Sequence, residues 1–319
     1  MKQVTARVPA YAKLNRGLRV LYRRPDGYHE IRTVFQTISL ADRLDITFSR
    51  ARTTRITIDG APEIPDNLIN RAAHLVLEAM RVQGDILFDL KKNIPTGAGL
   101  GGGSSDAAAV LLALPVLAGK TLPGERLHEI AIQLGSDVPF FLHGGTALGM
   151  GRGEELYPLP ELPAARSLLV APQIHSSTAE AYRDLSPRLT SIPLQNKLSS
   201  FQQEIWRGVT SGSIGVDEND FEEIVFARHR ELRQIKERLL HFGAKPAAMT
   251  GSGSAIFGIF ADAKQLERAQ KLFLNQAVLP ISFVSRAQYR SAWRRALKLH
   301  VEGTLWPPRS LYARSPSVR

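Results

Sequence analysis

The residues with the clearest chemistry lie in one short stretch: Pro95-Thr96-Gly97-Ala98-Gly99-Leu100-Gly101-Gly102-Gly103-Ser104-Ser105-Asp106. Five glycines within Gly97–Gly103 discourage regular structure and permit positive φ. They also strip away the Cβ atoms that would keep a ligand off the backbone amides. An apolar helical run follows directly, through Ala107, Val110, Leu111 and Leu114, with Ser104 or Ser105 as its natural cap. Free N–H groups at a helix N-terminus suit a phosphate. A flexible linker is the plainer alternative, but linkers rarely sit between a strand (Ile86–Leu90) and an apolar helix. Gly97-x-Gly99-x-x-Gly102 matches the dinucleotide fingerprint literally, yet Lys91–Pro95 separates it from its strand and no βαβ unit brackets it. No Lys-Ser/Thr pair follows the glycines, so a P-loop is excluded, and protein-kinase signatures are missing.

Other segments carry compatible groups. Ala12-Lys13-Leu14-Asn15 places Lys13 and Asn15 on one face of a strand. Asp26-Gly27-Tyr28-His29 is a turn, and Gly135-Ser136-Asp137-Val138-Pro139 follows a helix and puts Asp137 where it either caps or reacts. Thr250-Gly251-Ser252-Gly253-Ser254 is a small-residue turn between two strands.

The elements that must position these groups fall into three pieces. Residues 1 to about 155 mix strands (Thr33–Leu40, Asp45–Phe48, Arg55–Asp59, Ile86–Leu90) with helices. Ala72, Leu75, Val76, Ala79 and Met80 make one buried helix face, and Leu127, Ile130, Ala131 and Leu134 another, between Pro123 and Gly135. From about 165 to 285 the order is a long helix (Phe221 to Leu239, closed by Gly243), a strand at Ala247–Thr250, a turn and a strand at Ala255–Phe260. A helix at Ala263–Leu274 and a strand at Ile281–Val284 follow, which is the order of an α+β sandwich. Ser186–Gly215 is polar and weakly patterned. Residues 286–319 form a basic tail, read as a solvated appendage whose last ten residues need no fixed structure.

Together the motifs place the chain close to a known family. Pro-x-x-x-Gly-Leu-Gly-x-x-Ser-Ser with the late Gly-Ser-Gly turn resembles the GHMP kinase superfamily, from about residue 9 to 285. The Ala12–Asn15, Asp26–His29, triple-glycine and Gly135–Pro139 segments resemble the branch acting on a cytidyl diphosphate sugar alcohol. The resemblance implies a two-domain α+β fold, with an N-terminal domain like the second domain of ribosomal protein S5 and a ferredoxin-like C-terminal domain. It implies transfer of the γ-phosphoryl of ATP, accompanied by Mg²⁺, to the 2-hydroxyl of 4-diphosphocytidyl-2-C-methyl-D-erythritol in non-mevalonate isoprenoid synthesis. By motif match Asp137 is the base and Lys13 its partner. Pro95–Ser105 would wrap the triphosphate, with Asn67 and Lys92 near adenine, although Asn67 could equally cap the helix after it. Asn15, Tyr28 and His29 would hold the cytidyl group, with Thr178 and a base-stacking Tyr182. Plain core remains the other reading of Tyr182, and the family often has proline where Ala179 stands. Mg²⁺ would touch Ser104 or Ser105; no His or carboxylate cluster marks a permanent metal site.

The 319 residues, 44% hydrophobic and 22% charged, suffice for about two domains with ordinary cores. Without cysteine there are no disulfides, thiolate metal sites or Cys nucleophile, which fits the reducing cytoplasm. The longest apolar run, Ala107–Gly119, is too short for a membrane span of roughly 20 residues. Seven basic residues precede the first acid, Asp26, as in a transit peptide, but a cleaved leader could not hold Lys13 and Asn15. A net charge of +11 admits a nucleic-acid partner, yet no recognition motif for one is present. The tail supplies +7 of it, leaving a mildly basic body suited to anionic small molecules. A homoserine or mevalonate-type alcohol is the nearest rival substrate, and a monomer or homodimer is the expected assembly.

Overall fold

The computed structural model describes residues 3–60, 67–174, 176–189, 194–211, 218–273 and 276–313. Two long strands, β1 (Val4–Arg23) and β2 (His29–Arg50), form an antiparallel hairpin that carries much of the site. Along β1, Ala6, Val8, Ala10, Ala12 and Leu14 alternate inward and are buried, so a strand forms despite the basic residues between them. The other edge of β2 is divided between β4 (Gly84–Lys91), at Arg43–Arg50, and β5 (Thr146–Met150), at Thr33–Gln36. β3 (Arg55–Asp59) and β6 (Glu155–Pro158) complete the first sheet, ordered β3-β4-β2-β5-β6 with β1 on β2. Against it pack α1 (Leu68–Met80), α2 (Gly102–Leu117), α3 (Gly124–Leu134) and the four-residue α4 (Val138–Phe141). α2 is apolar all round from Ala107 and buried all round, as expected of a central core helix.

The second sheet is antiparallel, ordered β10-β7-β9-β8, from β7 (Arg166–Ala171), β8 (Ala247–Met249), β9 (Ile256–Phe260) and β10 (Ala277–Ile281). With it go α5 (Thr178–Leu185), α6 (Leu194–Ser211), α7 (Glu222–Arg228), α8 (Arg230–His241) and α9 (Ala263–Gln270), whereas α10 (Arg286–Ala296), at the chain's end, returns to the first sheet's core. A shared apolar seam joins the halves: Ala12, Leu14, Val34 and Ile38 meet Ala98, Leu100, Leu169, Ala248, Phe257 and Ile281. The mixed two-domain α/β architecture is the one the sequence implies. Among the described residues no helix is long and apolar enough to cross a membrane.

Several local expectations change. Thr33–Leu40 and Asp45–Phe48 are one continuous strand, because β1 pairs through Ala41–Leu44 and β4 joins on the other edge from Arg43. The long helix near 221–239 is two helices, broken at His229 (φ −126°, ψ 82°). The strand expected at Ile281–Val284 sits earlier, at Ala277–Ile281, because it pairs with β7 from Ala277 onward. Part of the weakly patterned Ser186–Gly215 segment is the helix α6. Neither Ser104 nor Ser105 caps α2; Gly101 does, with φ +70°, and both serines lie in the first turn. The appendage reading fails through residue 313: α10, with a Ser285–Gln288 capping box, and the residue after it bury Tyr289, Trp293 and Leu297 in the first domain's core, and Ser310 is buried beyond them; residues 314–319 lie outside the described residues. The tail's basic composition hid that stripe of large apolar residues.

Candidate active site

The glycine loop is clamped from both sides. Its apolar residues Ile94, Ala98 and Leu100 are buried in the seam. Leu100 O accepts from Lys13 N (3.1 Å) on β1, and Ala98 O from Ala255 N (3.2 Å) beside the late Gly-Ser-Gly turn. Gly99, at φ +78°, passes so close to that turn that a Cβ would lie 2.3 Å from Thr250 O. The first intrahelical bond at α2 runs from Ser105 N to Gly101 O (2.9 Å), so the N–H groups of Gly102, Gly103 and Ser104 precede it. They open onto a cavity of about 340 Å³ lined by Asn67, Lys92 and all of Pro95–Ser104. Ser105 is buried behind this wall and does not line it. Asn67 does cap α1, its Oδ1 accepting from Ile69 N (2.9 Å), and lines the cavity as well. Lys92 is committed: its Nζ contacts the buried carboxylates of Asp42 and, at 2.9 Å, Asp106. Burial pushes the Asp106 carboxyl up to about 7, the Lys92 cation only partly opposing it and Asp42 adding to it.

A larger cleft of about 870 Å³ adjoins the first and shares Gly99, Gly101 and Ser104 with it. At this junction Lys13 Nζ stands 3.3 Å from Asp137 Oδ2, the lysine buried and the carboxylate a third exposed. Asp137 occupies the N-cap position of α4 but makes no capping bond, which leaves its oxygens to the cleft. Lys13 also donates to Asn15 Oδ1 (2.5 Å), and Asn15 Nδ2 donates to Thr33 Oγ1 (2.9 Å), so the amide is fully oriented. Asn15 N donates to Thr250 Oγ1 (2.9 Å), tying strand and late turn together.

The cleft's far end is aromatic. The His29 ring stacks on Tyr182 (4.7 Å, 21°), and Tyr182 meets Phe221 edge-on (4.8 Å). Ser186 Oγ donates to Tyr182 O (2.9 Å) and lies 3.0 Å from His29 Nε2. With the hydroxyl proton used there, Nε2 donates and Nδ1 keeps its lone pair. Burial and the nearby Arg23 hold the imidazole below its ordinary pKa, which favours the neutral ring. Tyr28 is half exposed under the Arg152 guanidinium (4.7 Å). Thr178 Oγ1 lies 2.7 Å from Ser252 Oγ, which fastens α5 to the late turn. Lys13, Asn15, Asp137, Tyr28, His29, Thr178 and Tyr182 therefore line one cleft. One face of Tyr182 is already taken by His29, so a ligand ring has Tyr28 or the rim of this stack to pack on.

Among the described residues no group of three His, Asp or Glu could hold a metal. The hydroxyl of Ser104 at the junction fits a hard cation that arrives on phosphate oxygens and needs few protein ligands.

Known proteins resemble this chain along most of its length. Residues 67–145 match the model for the GHMP kinases N terminal domain, and residues 211–274 that for the GHMP kinases C terminal domain. A protein of Solibacter usitatus named 4-diphosphocytidyl-2-C-methyl-D-erythritol kinase is 54% identical over 311 residues, 96% of this chain and 98% of its own. The chain belongs to the GHMP kinase family. A crystal structure of 4-(cytidine 5'-diphospho)-2C-methyl-D-erythritol kinase superposes with TM-score 0.72 at 35% identity, covering 87% of this GHMP kinase and 98% of that chain. Homoserine kinase from Cytophaga hutchinsonii, at 20% identity, TM-score 0.70 and coverage of 88% and 95%, shares the fold. The chain is thus a small-molecule kinase.

Sequence reasoning missed several residues of this kinase's site. Arg23, Arg152 and Arg183 line the larger cleft, but single arginines in a basic chain carry no local signal. Thr33, which accepts from Asn15 Nδ2, comes from a neighbouring strand that no local pattern links to Asn15. Asp42 and Asp106 are invisible as a pair until Lys92 bridges them.

Proposed function

We propose that this GHMP kinase transfers the γ-phosphoryl of ATP to the 2-hydroxyl of 4-diphosphocytidyl-2-C-methyl-D-erythritol, in non-mevalonate isoprenoid synthesis. The observation that carries the reading is the Lys13–Asp137 pair at the junction of the two cavities. ATP occupies the smaller cavity, its phosphates on the N–H groups of Gly102–Ser104, and Mg²⁺ bound beside Ser104 would neutralise phosphate charge. The alcohol occupies the larger cleft. Phosphoryl transfer asks mainly for positioning and charge stabilisation. As the substrate oxygen bonds to the γ-phosphorus and the bond to the ADP oxygen breaks, the hydroxyl proton passes to Asp137. Such base assistance is worth roughly 10²–10⁴-fold. Lys13 holds the carboxylate and offsets charge developing on the transferred group. His29, Tyr182 and Tyr28 receive the cytosine, His29 Nδ1 accepting from its amino group, and Arg23, Arg152 and Arg183 face the diphosphate.

A homoserine or mevalonate-type substrate would leave the aromatic end without a partner. The test is a coupled assay with ATP, Mg²⁺ and each alcohol. Turnover on homoserine or mevalonate, with none on the cytidyl alcohol, would overturn the assignment. Asp137→Ala should lower turnover by about 10²-fold or more while ATP binding stays near normal; near-normal turnover would remove Asp137 as the base.

A further inference from the structure

The C-terminal strap of α10 and residues 297–313 lies against the back of the site. We infer that Tyr289 and Trp306 are positioning residues for Asp137, acting through the main-chain carbonyls of α4. The inference rests on the reading of Asp137 as the base.

A helix of four residues cannot satisfy its own C-terminal carbonyls. In α4, Pro139 O is taken by Leu142 N (3.1 Å), and Phe140 O by His143 N (3.1 Å) and Gly144 N (2.9 Å). The next two carbonyls turn to the strap: Phe141 O accepts from Tyr289 Oη, and Leu142 O accepts from Trp306 Nε1 at 2.8 Å. Both bonds pull on the end of the helix whose other end is Asp137. The two donors are themselves fixed. Tyr289 is buried between Tyr11 (5.4 Å) and Trp306 (6.1 Å), and it packs on Gly144, where a Cβ would lie 2.5 Å from its ring. Beyond them the strap is pinned by Ser310 Oγ to Val116 O (2.7 Å) and His300 Nε2 to Thr5 O (3.0 Å).

α4 also reaches forward. A Cβ at Gly101 would lie 2.9 Å from Phe141 Cζ and 3.2 Å from Lys13 Cε, so α4, the phosphate loop and the lysine meet at that glycine. A shift of α4 therefore changes the Lys13–Asp137 separation, while the glycine loop stays held by Lys13 N on Leu100 O and Ala255 N on Ala98 O. Misplacement of a reacting group by about 1 Å can cost 10²-fold in rate.

The experiment compares full-length Tyr289→Phe, Trp306→Phe and the double variant by steady-state kinetics, with melting temperatures. Each single change should lower kcat roughly 3- to 10-fold and the pair by about 10- to 100-fold, with KM for ATP and for the alcohol within about twofold. Ser310→Ala loosens the same strap at Val116 rather than at α4, and should keep wild-type kcat. Should the double variant not fold, Tyr289→Phe decides, since it removes one oxygen and leaves no large cavity. Wild-type kcat in Tyr289→Phe and Trp306→Phe, with Asp137→Ala inactive, overturns the role of the strap alone. A loss no greater than in Ser310→Ala at matched melting temperature overturns it too. An active Asp137→Ala overturns the base reading, and the positioning role with it.

Discussion

Replacing Lys92 with methionine isolates the charge cluster behind the glycine loop. The lysine is one-quarter exposed, whereas Asp42 is fully buried and Asp106 nearly so, and both carboxylates depend on its ammonium. Removing one partner of a buried pair costs about 3–5 kcal/mol, because a buried charge is left uncompensated. Here the loss should lie near the lower end, since Asp42 still accepts from Asn93 N (2.5 Å) and Ile94 N (2.8 Å) and Asp106 can escape by protonation. At about 2–4 °C per kcal/mol, a loss of about 3 kcal/mol lowers the melting temperature by roughly 6–12 °C at pH 8. The pH dependence has a definite sign. The folded-state pKa of Asp106 is raised from 3.8 to about 7, so its protonated form favours folding, and that contribution is lost as pH rises through this window. Without the Lys92 cation, which holds the carboxyl down, the variant keeps the Asp106 proton where the wild type loses it, so the Lys92→Met deficit should shrink between pH 8 and pH 6, and adding Asp106→Asn should recover most of it at pH 8. Differential scanning fluorimetry at the two pH values reads this directly. An unchanged melting temperature at pH 8, or the same drop at both values, would refute the compensation argument.

Two further expectations concern ligands. Gly99→Ala puts a Cβ into Thr250 O at positive φ, a strain of about 1–2 kcal/mol before any clash, and should raise KM for ATP tenfold or more with a smaller effect on the alcohol; an unchanged KM would mean the loop is not held against the late turn. Tyr182→Ala removes the ring that supports His29 and part of the rim on which the base packs, and should raise KM for the cytidyl alcohol by about 5-fold, the lower end of the roughly 1–3 kcal/mol that a full stack carries, while KM for ATP stays put. Equal effects on both substrates would remove Tyr182 from the base end of the cleft.

What the sequence determined by itself is what neighbouring residues determine. Glycine spacing and the apolar run after it sufficed for an irregular loop that turns directly into a helix, because positive φ and missing Cβ atoms are local properties. Helical periodicity sufficed for α1 and α3. The Asn67 and Asp137 ambiguities shared one local pattern, a capping residue ahead of a helix, and only the fold separated them: Asn67 caps, while Asp137 leaves its cap unmade and faces Lys13. Of β1 only the Ala12–Asn15 stretch was legible, because the inward residues before it, Ala6, Val8 and Ala10, are small and Pro9 stands among them. The Asp42–Lys92–Asp106 cluster, the arginines around the cleft and the strap on α4 were decided by the tertiary structure alone. Burial makes a charge demand a partner, and a one-turn helix leaves carbonyls that some other segment must satisfy. Which segments meet those demands depends on strand register and on how the two domains close over their shared seam.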